Sequence, residues 1–214
     1  MRPSLLVFLL TLATAPVLLR GEAKPRVKFT TNIGSFTLEL EPEAAPRTVA
    51  NFLKYVHSGH YKGTTFHRVI PTFMVQGGGH LPDLTEKPAK DHVDNEADLS
   101  LAKGLHNTKG TVAMARTMDP HSASAQFFIN TVDNPFLDHK SKDARGWGYC
   151  VFGRVVDGLA TVEQIKAVRT QTKVGPLGPM ESVPVKPVII TDAQVLKPAA
   201  KPTRKKPAIT RKGA

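Results

Sequence analysis

This 214-residue chain holds one cysteine, one tryptophan and no second long apolar run, and these scarcities rule out several designs. Cys150 is the only cysteine, so no internal disulfide can form. It sits in the apolar run Tyr149-Cys150-Val151-Phe152, which suits a small core residue better than a reactive thiol. Trp147 is the only tryptophan, so aromatic surface must come mainly from ten phenylalanines. After Leu19 no stretch is apolar enough to be a membrane span, and the mature chain is expected to be soluble. Internal repeats are absent. No Ser or Cys nucleophile stands beside a recognisable base, and no His, Cys, Asp and Glu set has metal-ligand spacing. His57 and His60 are three apart but straddle Gly59, which should end a helix, so no metal is expected. Gly77-Gly78-Gly79 lacks the Lys-Ser/Thr of a phosphate loop and is read as a sharp turn.

Acidic residues are missing from one region in particular. Residues 197–214 hold seven Lys or Arg, no Asp or Glu, and Pro198, Pro202 and Pro207. Of the net charge of +11, this tail carries +7 and residues 1–23 carry +1, which leaves +3 for the middle. The basic character therefore belongs to the tail. With little to bury, the tail is expected to be disordered. Its candidate partner is a polyanionic envelope surface; no aromatics interleave for base stacking, so no specific nucleic acid is expected. At the other end, Met1-Arg2-Pro3 precedes a nearly all-apolar run from Ser4 to Leu19 and small residues at Gly21 and Ala23. That pattern predicts a signal peptide over 1–23, cut after Ala23, and export to a periplasm or the exterior. A cut after Ala15 would place Pro16 beside the scissile bond. An uncleaved anchor would be short for a span.

Between these ends, 41% hydrophobic and 22% charged residues describe one globular domain, 24–196. Arg26–Thr31 and Phe36–Leu40 read as a hairpin about Asn32-Ile33-Gly34-Ser35. Val49, Phe52, Leu53 and Val56 put a helical stripe on 46–57, and Val162 and Ile165 do so on 159–168. Strands are predicted at 66–70, 73–76, 111–115, 126–130, 151–156 and 188–196. Residues 77–107, rich in Gly, Pro, Asp, Asn and His, are expected to be mostly loop. Many short strands with two helices argue for a closed β architecture with helical caps.

The most informative stretch is Thr65 to Gly79. It places Arg68 beside Phe73, Met74 and Gln76, and Gln126-Phe127-Phe128-Ile129-Asn130 adds another amide and more aromatic surface. These residues grip an apolar group and polarise a neutral bond; they do not break one. Phe66-His67-Arg68-Val69-Ile70-Pro71, Phe73-Met74-Val75-Gln76-Gly77-Gly78, Met114-Ala115-Arg116 and Ser124-Ala125-Gln126-Phe127-Phe128-Ile129 resemble the signature blocks of the cyclophilins, peptidyl-prolyl cis-trans isomerases. Asn95-Glu96, Phe136-Leu137-Asp138 and Val151-Phe152-Gly153 fit as well, so the likeness spans about 27–196. Met-Ala-Arg-Thr and Gly-Tyr-Cys-Val-Phe-Gly look most like the bacterial exported branch.

The resemblance implies a closed eight-stranded antiparallel β-barrel capped by two α-helices, a monomer, and no cofactor. It implies that Arg68 hydrogen-bonds the prolyl nitrogen of a twisted X–Pro bond, with Gln76 and Phe128 also catalytic. Phe73, Met74 and Phe128 would hold the proline ring, with Leu137 near the rim. Gln126 and the backbone at Ala115-Arg116 would meet the substrate chain. Three positions depart from the common pattern. Arg116 replaces a frequent Asn, and its charge is expected to favour acidic residues before proline. Phe136 stands for the Trp that donates a hydrogen bond to cyclosporin, and Tyr149 for a frequent His. His67 is read as structural, and Phe66, Phe127 and Phe152 as barrel core. Two rivals to the isomerase remain: a module that only docks proline loops, and an adhesin tethered by its tail. The first would not need to keep Arg68.

Overall fold

The computed structural model describes residues 23–176 and 178–197; the expected signal peptide, except Ala23, and the basic tail beyond Lys197 lie outside the described residues. Eight strands form one antiparallel sheet: β1 (Arg26–Thr31), β2 (Gly34–Leu40), β3 (Thr65–Ile70), β4 (Met74–His80), β5 (Thr111–Met114), β6 (Phe127–Asn130), β7 (Val151–Asp157) and β10 (Ile190–Leu196). Their order is β10-β1-β2-β7-β5-β6-β4-β3. The predicted hairpin is β1–β2, in register from Arg26 with Glu39 to Thr31 with Gly34. The sheet curls until β3 meets the segment leading into β10, but closure is partial. It rests on a single bridge, Thr65 with Ile189, and on hydrogen bonds such as Phe66 N–H to the Val188 carbonyl (2.9 Å) and Ile190 N–H to that of Thr64 (2.8 Å).

Inward residues follow the strand period of two. Val27 and Phe29, Phe36, Leu38 and Leu40, Phe127 and Ile129, and Phe152 are buried in one core with Phe66 and Tyr61. Their rings meet mostly edge-on or tilted, as Phe52 does with Phe127 at 5.8 Å and 85°. Helix α1 (Pro46–His57) buries Val49, Phe52, Tyr55 and Val56, with Leu53 only partly covered. Its first turn lacks a side-chain cap of its own. The buried carboxylate of Glu96 supplies one from elsewhere, accepting from the N–H groups of Arg47 (3.2 Å) and Thr48 (2.8 Å) and from Thr48 Oγ1 (2.8 Å). Helix α3 (Leu159–Lys166) buries Val162 and Ile165 and packs on β2, β3 and β4.

The glycine turn and the number of helices need correction. Gly77–Gly79 is not a turn; it is the second half of β4. Gly78 has φ +87°, and a Cβ there would lie 2.9 Å from Tyr61 and 3.0 Å from Phe127, so glycine lets the core rings reach the strand. The stretch 77–107 is mostly loop, as expected, but Ala97–Ala102 forms α2, a third helix where two were expected. A two-stranded hairpin, β8 (Thr170–Gly175) with β9 (Gly178–Pro184), was not foreseen. β8 is largely exposed, β9 buries only Val183 and Pro184, and Gly and Pro punctuate the hairpin, so its strands carry little apolar alternation.

Candidate active site

Strand β6 shows how the site is built on the back of the core. Phe127 and Ile129 point into the barrel, and Phe128 points outward. There it joins Met74, Ala113, Leu137 and Val151 in a second, smaller apolar cluster, with Phe73, Ala115 and Tyr149 packed against it. On neighbouring β4, Met74 and Gln76 lie opposite Asn130 and Phe128 in the ladder. The outward faces of these strands therefore form the floor of a cavity of about 120 Å³, lined by Arg68, Phe73, Met74, Gln76, Ala115, Arg116, Phe128, Leu137 and Tyr149.

Nine of the eleven residues singled out in the sequence thus meet in one concavity. Of the other two, Gln126 lines an adjoining recess of about 320 Å³ that shares Gln76, Ala115 and Arg116 with the first. Phe136 is 61% exposed at the rim, its ring stacked on Phe73 at 5.7 Å and 24°. Leu137, expected near the rim, is buried and forms wall. A larger cleft of about 510 Å³ around Leu105, Lys109, Arg154 and Leu159 contains none of the eleven, and its cations are paired, Lys109 with Glu163 and Arg154 with Glu39.

Arg68 stands exposed on β3, opposite Gln76 on β4. The Gln76 amide donates from Nε2 to Gln126 Oε1 (3.1 Å), and Gln126 Nε2 donates to Glu86 Oε1 (3.3 Å). Because a carboxylate in its ionised form only accepts, this chain leaves the Gln76 carbonyl oxygen as its remaining acceptor, which suits a guanidinium that only donates. The sequence did not point to Glu86. It lies in the loop after β4, and only its bridge to His80 brings it to the recess.

Arg116 is half-buried and tied at several points. Its Nε donates to the Gly148 carbonyl (3.0 Å), its Nη1 to that of Thr117 (2.9 Å), and its guanidinium lies 4.6 Å from the centre of the Tyr149 ring. Tyr149 in turn meets Phe128 edge-on at 5.6 Å. The Ala115 N–H is taken by the Gln126 carbonyl (2.9 Å), so that donor is not open to a substrate.

Titratable groups beside the site are set against acid–base work. Burial, reinforced by His80, pushes the His67 imidazole down to about 3, and its Nδ1 has no partner. Burial pushes the Cys150 thiol up to about 12. His60 gives one ring nitrogen to the Gly78 carbonyl (3.1 Å), and no cluster of three metal-ligating side chains exists among the described residues. What remains is a donor-only cation, a fixed amide chain and an apolar cup.

Comparison with known proteins shows the family and the fold. Residues 26–195 match the family model described as cyclophilin type peptidyl-prolyl cis-trans isomerase. The chain belongs to that family and is an enzyme of the isomerase class. It is 54% identical over 170 residues to peptidyl-prolyl cis-trans isomerase cyp18 of Streptomyces antibioticus, covering 79% of this chain and 98% of that one. It is 49% identical over 169 residues to peptidyl-prolyl cis-trans isomerase B of Escherichia coli, covering 79% and 98%. A crystal structure of a cyclophilin type isomerase from Cryptosporidium parvum superposes with a TM-score of 0.67 at 27% identity, covering 82% of this chain and 99% of that one. The same Cryptosporidium protein was also solved in the presence of the dipeptide Ala-Pro.

Proposed function

We propose that the 120 Å³ cavity receives the proline ring of an X–Pro segment and that Arg68 speeds its cis-trans rotation. An X–Pro amide rotates slowly because resonance stiffens its C–N bond, with a barrier of roughly 18–20 kcal/mol. Twisting localises the lone pair on the prolyl nitrogen. A guanidinium that hydrogen-bonds that nitrogen stabilises the twisted state more than the planar one, and only such a difference accelerates the step. Phe73, Met74, Phe128 and Leu137 hold the ring, while Gln76 and Gln126 orient the cation and the flanking backbone. Arg116 offers a substrate carboxylate before proline only its remaining N–H groups. No bond is made or broken, so no nucleophile, metal or cofactor takes part.

The observation that carries this reading is that one cavity contains both Arg68 and the apolar cup. A pocket that only docked proline loops would gain nothing from the cation. The test compares Arg68→Ala with the chain from Lys24 in isomerisation of an X–Pro tetrapeptide. The expected loss is on the order of 10²-fold, about 2.7 kcal/mol of transition-state stabilisation. Equal rates for the two proteins would remove Arg68 from the mechanism.

The rest of the reading concerns place and clients. Residues 1–23 direct export, the clients are exported polypeptides folding outside the cytoplasm, and the protein acts as a monomer. The tail after Lys197 holds it to a polyanionic envelope surface. Mass spectrometry of the envelope-fraction protein should find a chain beginning at Lys24. Deleting 197–214 should release it from that fraction with isomerisation unchanged, and unchanged retention would discard the tethering.

A further inference from the structure

Behind the cup lie three side-chain amides that the mechanism does not use. Asn107, Asn130 and Asn134 are each 2% exposed or less and form a single line. Asn134 Nδ2 donates to the Phe73 carbonyl (2.9 Å) and to Asn130 Oδ1 (2.8 Å). Asn130 Nδ2 donates to Asn107 Oδ1 (3.2 Å) and Thr111 Oγ1 (2.9 Å). Asn107 Nδ2 donates to Asp138 Oδ1 (2.9 Å) and to the Tyr149 carbonyl (3.2 Å). Backbone groups close the ring: Leu137 N–H to the Asn134 carbonyl (2.9 Å), Asn134 N–H to that of Asn107 (2.7 Å), and Asn107 N–H to Asp138 Oδ1 (2.8 Å).

The direction of this line is set from one end. Asp138 as a carboxylate can only accept, so Asn107 must turn its NH2 group toward it and its oxygen toward Asn130. The same choice then passes to Asn130 and to Asn134, whose NH2 group ends on the carbonyl of Phe73. Burial works against the Asp138 charge but is outweighed by the bonds from Asn107 and His106, which hold its acid below the usual carboxylate range. Phe73, Leu137 and Tyr149 come from three separate segments, and each has a backbone group tied to this one relay. A buried polar network in which these links are satisfied is rigid, whereas one reversed amide leaves donors or acceptors unpaired in low dielectric.

We propose that Asn107, Asn130 and Asn134, anchored by Asp138, are positioning residues that set the grip on the proline ring and govern KM rather than kcat. The ring touches the cup alike in the planar and twisted states, so losing that contact weakens ground and transition states together. Arg68 and Gln76 take no bond from the relay. The inference rests on the reading of this cavity as the proline pocket.

The deciding experiment measures kcat and KM for a cis X–Pro tetrapeptide by NMR line shape, using the chain from Lys24. Asn107→Asp keeps the shape of the side chain but places an acceptor against Asp138. Its KM should rise about tenfold with kcat within about twofold. Asp138→Ala should raise KM likewise, and Asp138→Asn, which still offers Asn107 an oxygen, should recover most of that rise. A wild-type KM in folded Asn107→Asp, or a fall in kcat at unchanged KM, overturns the proposal. So does Asp138→Asn behaving like Asp138→Ala. If Asn107→Asp does not fold, Asn134→Ala decides by the same split, since it removes the donor to Phe73. Arg68→Ala and Phe128→Ala run alongside. If both retain full activity the pocket reading itself fails, and if both lose activity while KM ignores the relay, only the present inference fails.

Discussion

Arg68 stands opposite Gln76 across the β3–β4 ladder, although Phe66, two residues earlier, stands opposite Gly77. Two steps on one strand against one on the other make His67 the extra residue of a β-bulge. Strict alternation would send Arg68 to the same side as Phe66, into the core. The bulge resets the phase, so Phe66 and Val69 are both buried while Arg68 is exposed at the cavity. The bulged residue holds an imidazole that the fold keeps neutral.

That neutrality has a pH signature. The unfolded chain protonates His67 near pH 6.5, and the folded chain only near 3. Between those values the unfolded state binds more protons, so stability falls as pH falls, by up to about 1.4 kcal/mol per pH unit. His60 and His80 are lowered by burial too and act with the same sign. Thermal melts at pH 7.0 and 5.0 should show a lower Tm in acid, and His67→Gln should shrink the difference. An undiminished difference in that variant would place the effect elsewhere.

The adjacent glycines of β4 should separate stability from activity. Gly78→Ala forces a side chain to φ +87° and into Tyr61 and Phe127. It should cost about 2–3 kcal/mol in urea unfolding. At Gly79 the new methyl meets the Gln126 side chain, which can move outward. Gly79→Ala should therefore lower kcat/KM about tenfold by disturbing the amide chain, with little change in Tm. A reversed pattern would contradict the packing described for β4.

Glu96 should matter to stability far more than its distance from the cavity suggests. Its carboxylate takes two N–H groups at the start of α1 as well as the Thr48 hydroxyl. Glu96→Ala leaves them without that acceptor and should cost about 2–4 kcal/mol. Chemical denaturation measures this directly, and a loss under 1 kcal/mol would mean that water replaces the cap.

Phe136 offers a gain-of-binding test. Its ring lies on Phe73 at the rim, 61% exposed, with no donor to present. Phe136→Trp adds an indole N–H and should tighten cyclosporin binding about tenfold by titration calorimetry, the worth of one hydrogen bond. An unchanged affinity would show that the rim of this chain holds the ring in a different pose.

Much of this molecule was legible in residue order because local periodicity encodes which face is buried. Val49, Phe52 and Val56 marked α1, Val162 and Ile165 marked α3, and alternation through Phe36, Leu38 and Leu40 marked β2. The run from Thr65 to Gly79 supplied the cation and half of the cup, Phe73 and Met74. Where apolar spacing fell silent, the reading failed: α2 is six residues inside a polar stretch, β8 is mostly exposed and β9 buries only its last two residues, and the three glycines of β4 look like a turn when their packing partners are out of view.

Residue type alone carried the ingredients of the site: one fixed cation, Arg68, among aromatics, and two amides, Gln76 and Gln126. How those ingredients are aimed came from the folded chain. The bulge at His67 turns Arg68 outward, Glu86 takes the far end of the Gln76–Gln126 chain, and Asn107 meets Asn130 and Asn134 from another segment behind the cup. The bulge depends on strand pairing, and the two amide chains on contacts between segments distant in sequence. Hydrogen-bond direction and strand phase are properties of partners, and the partners meet only in the folded chain.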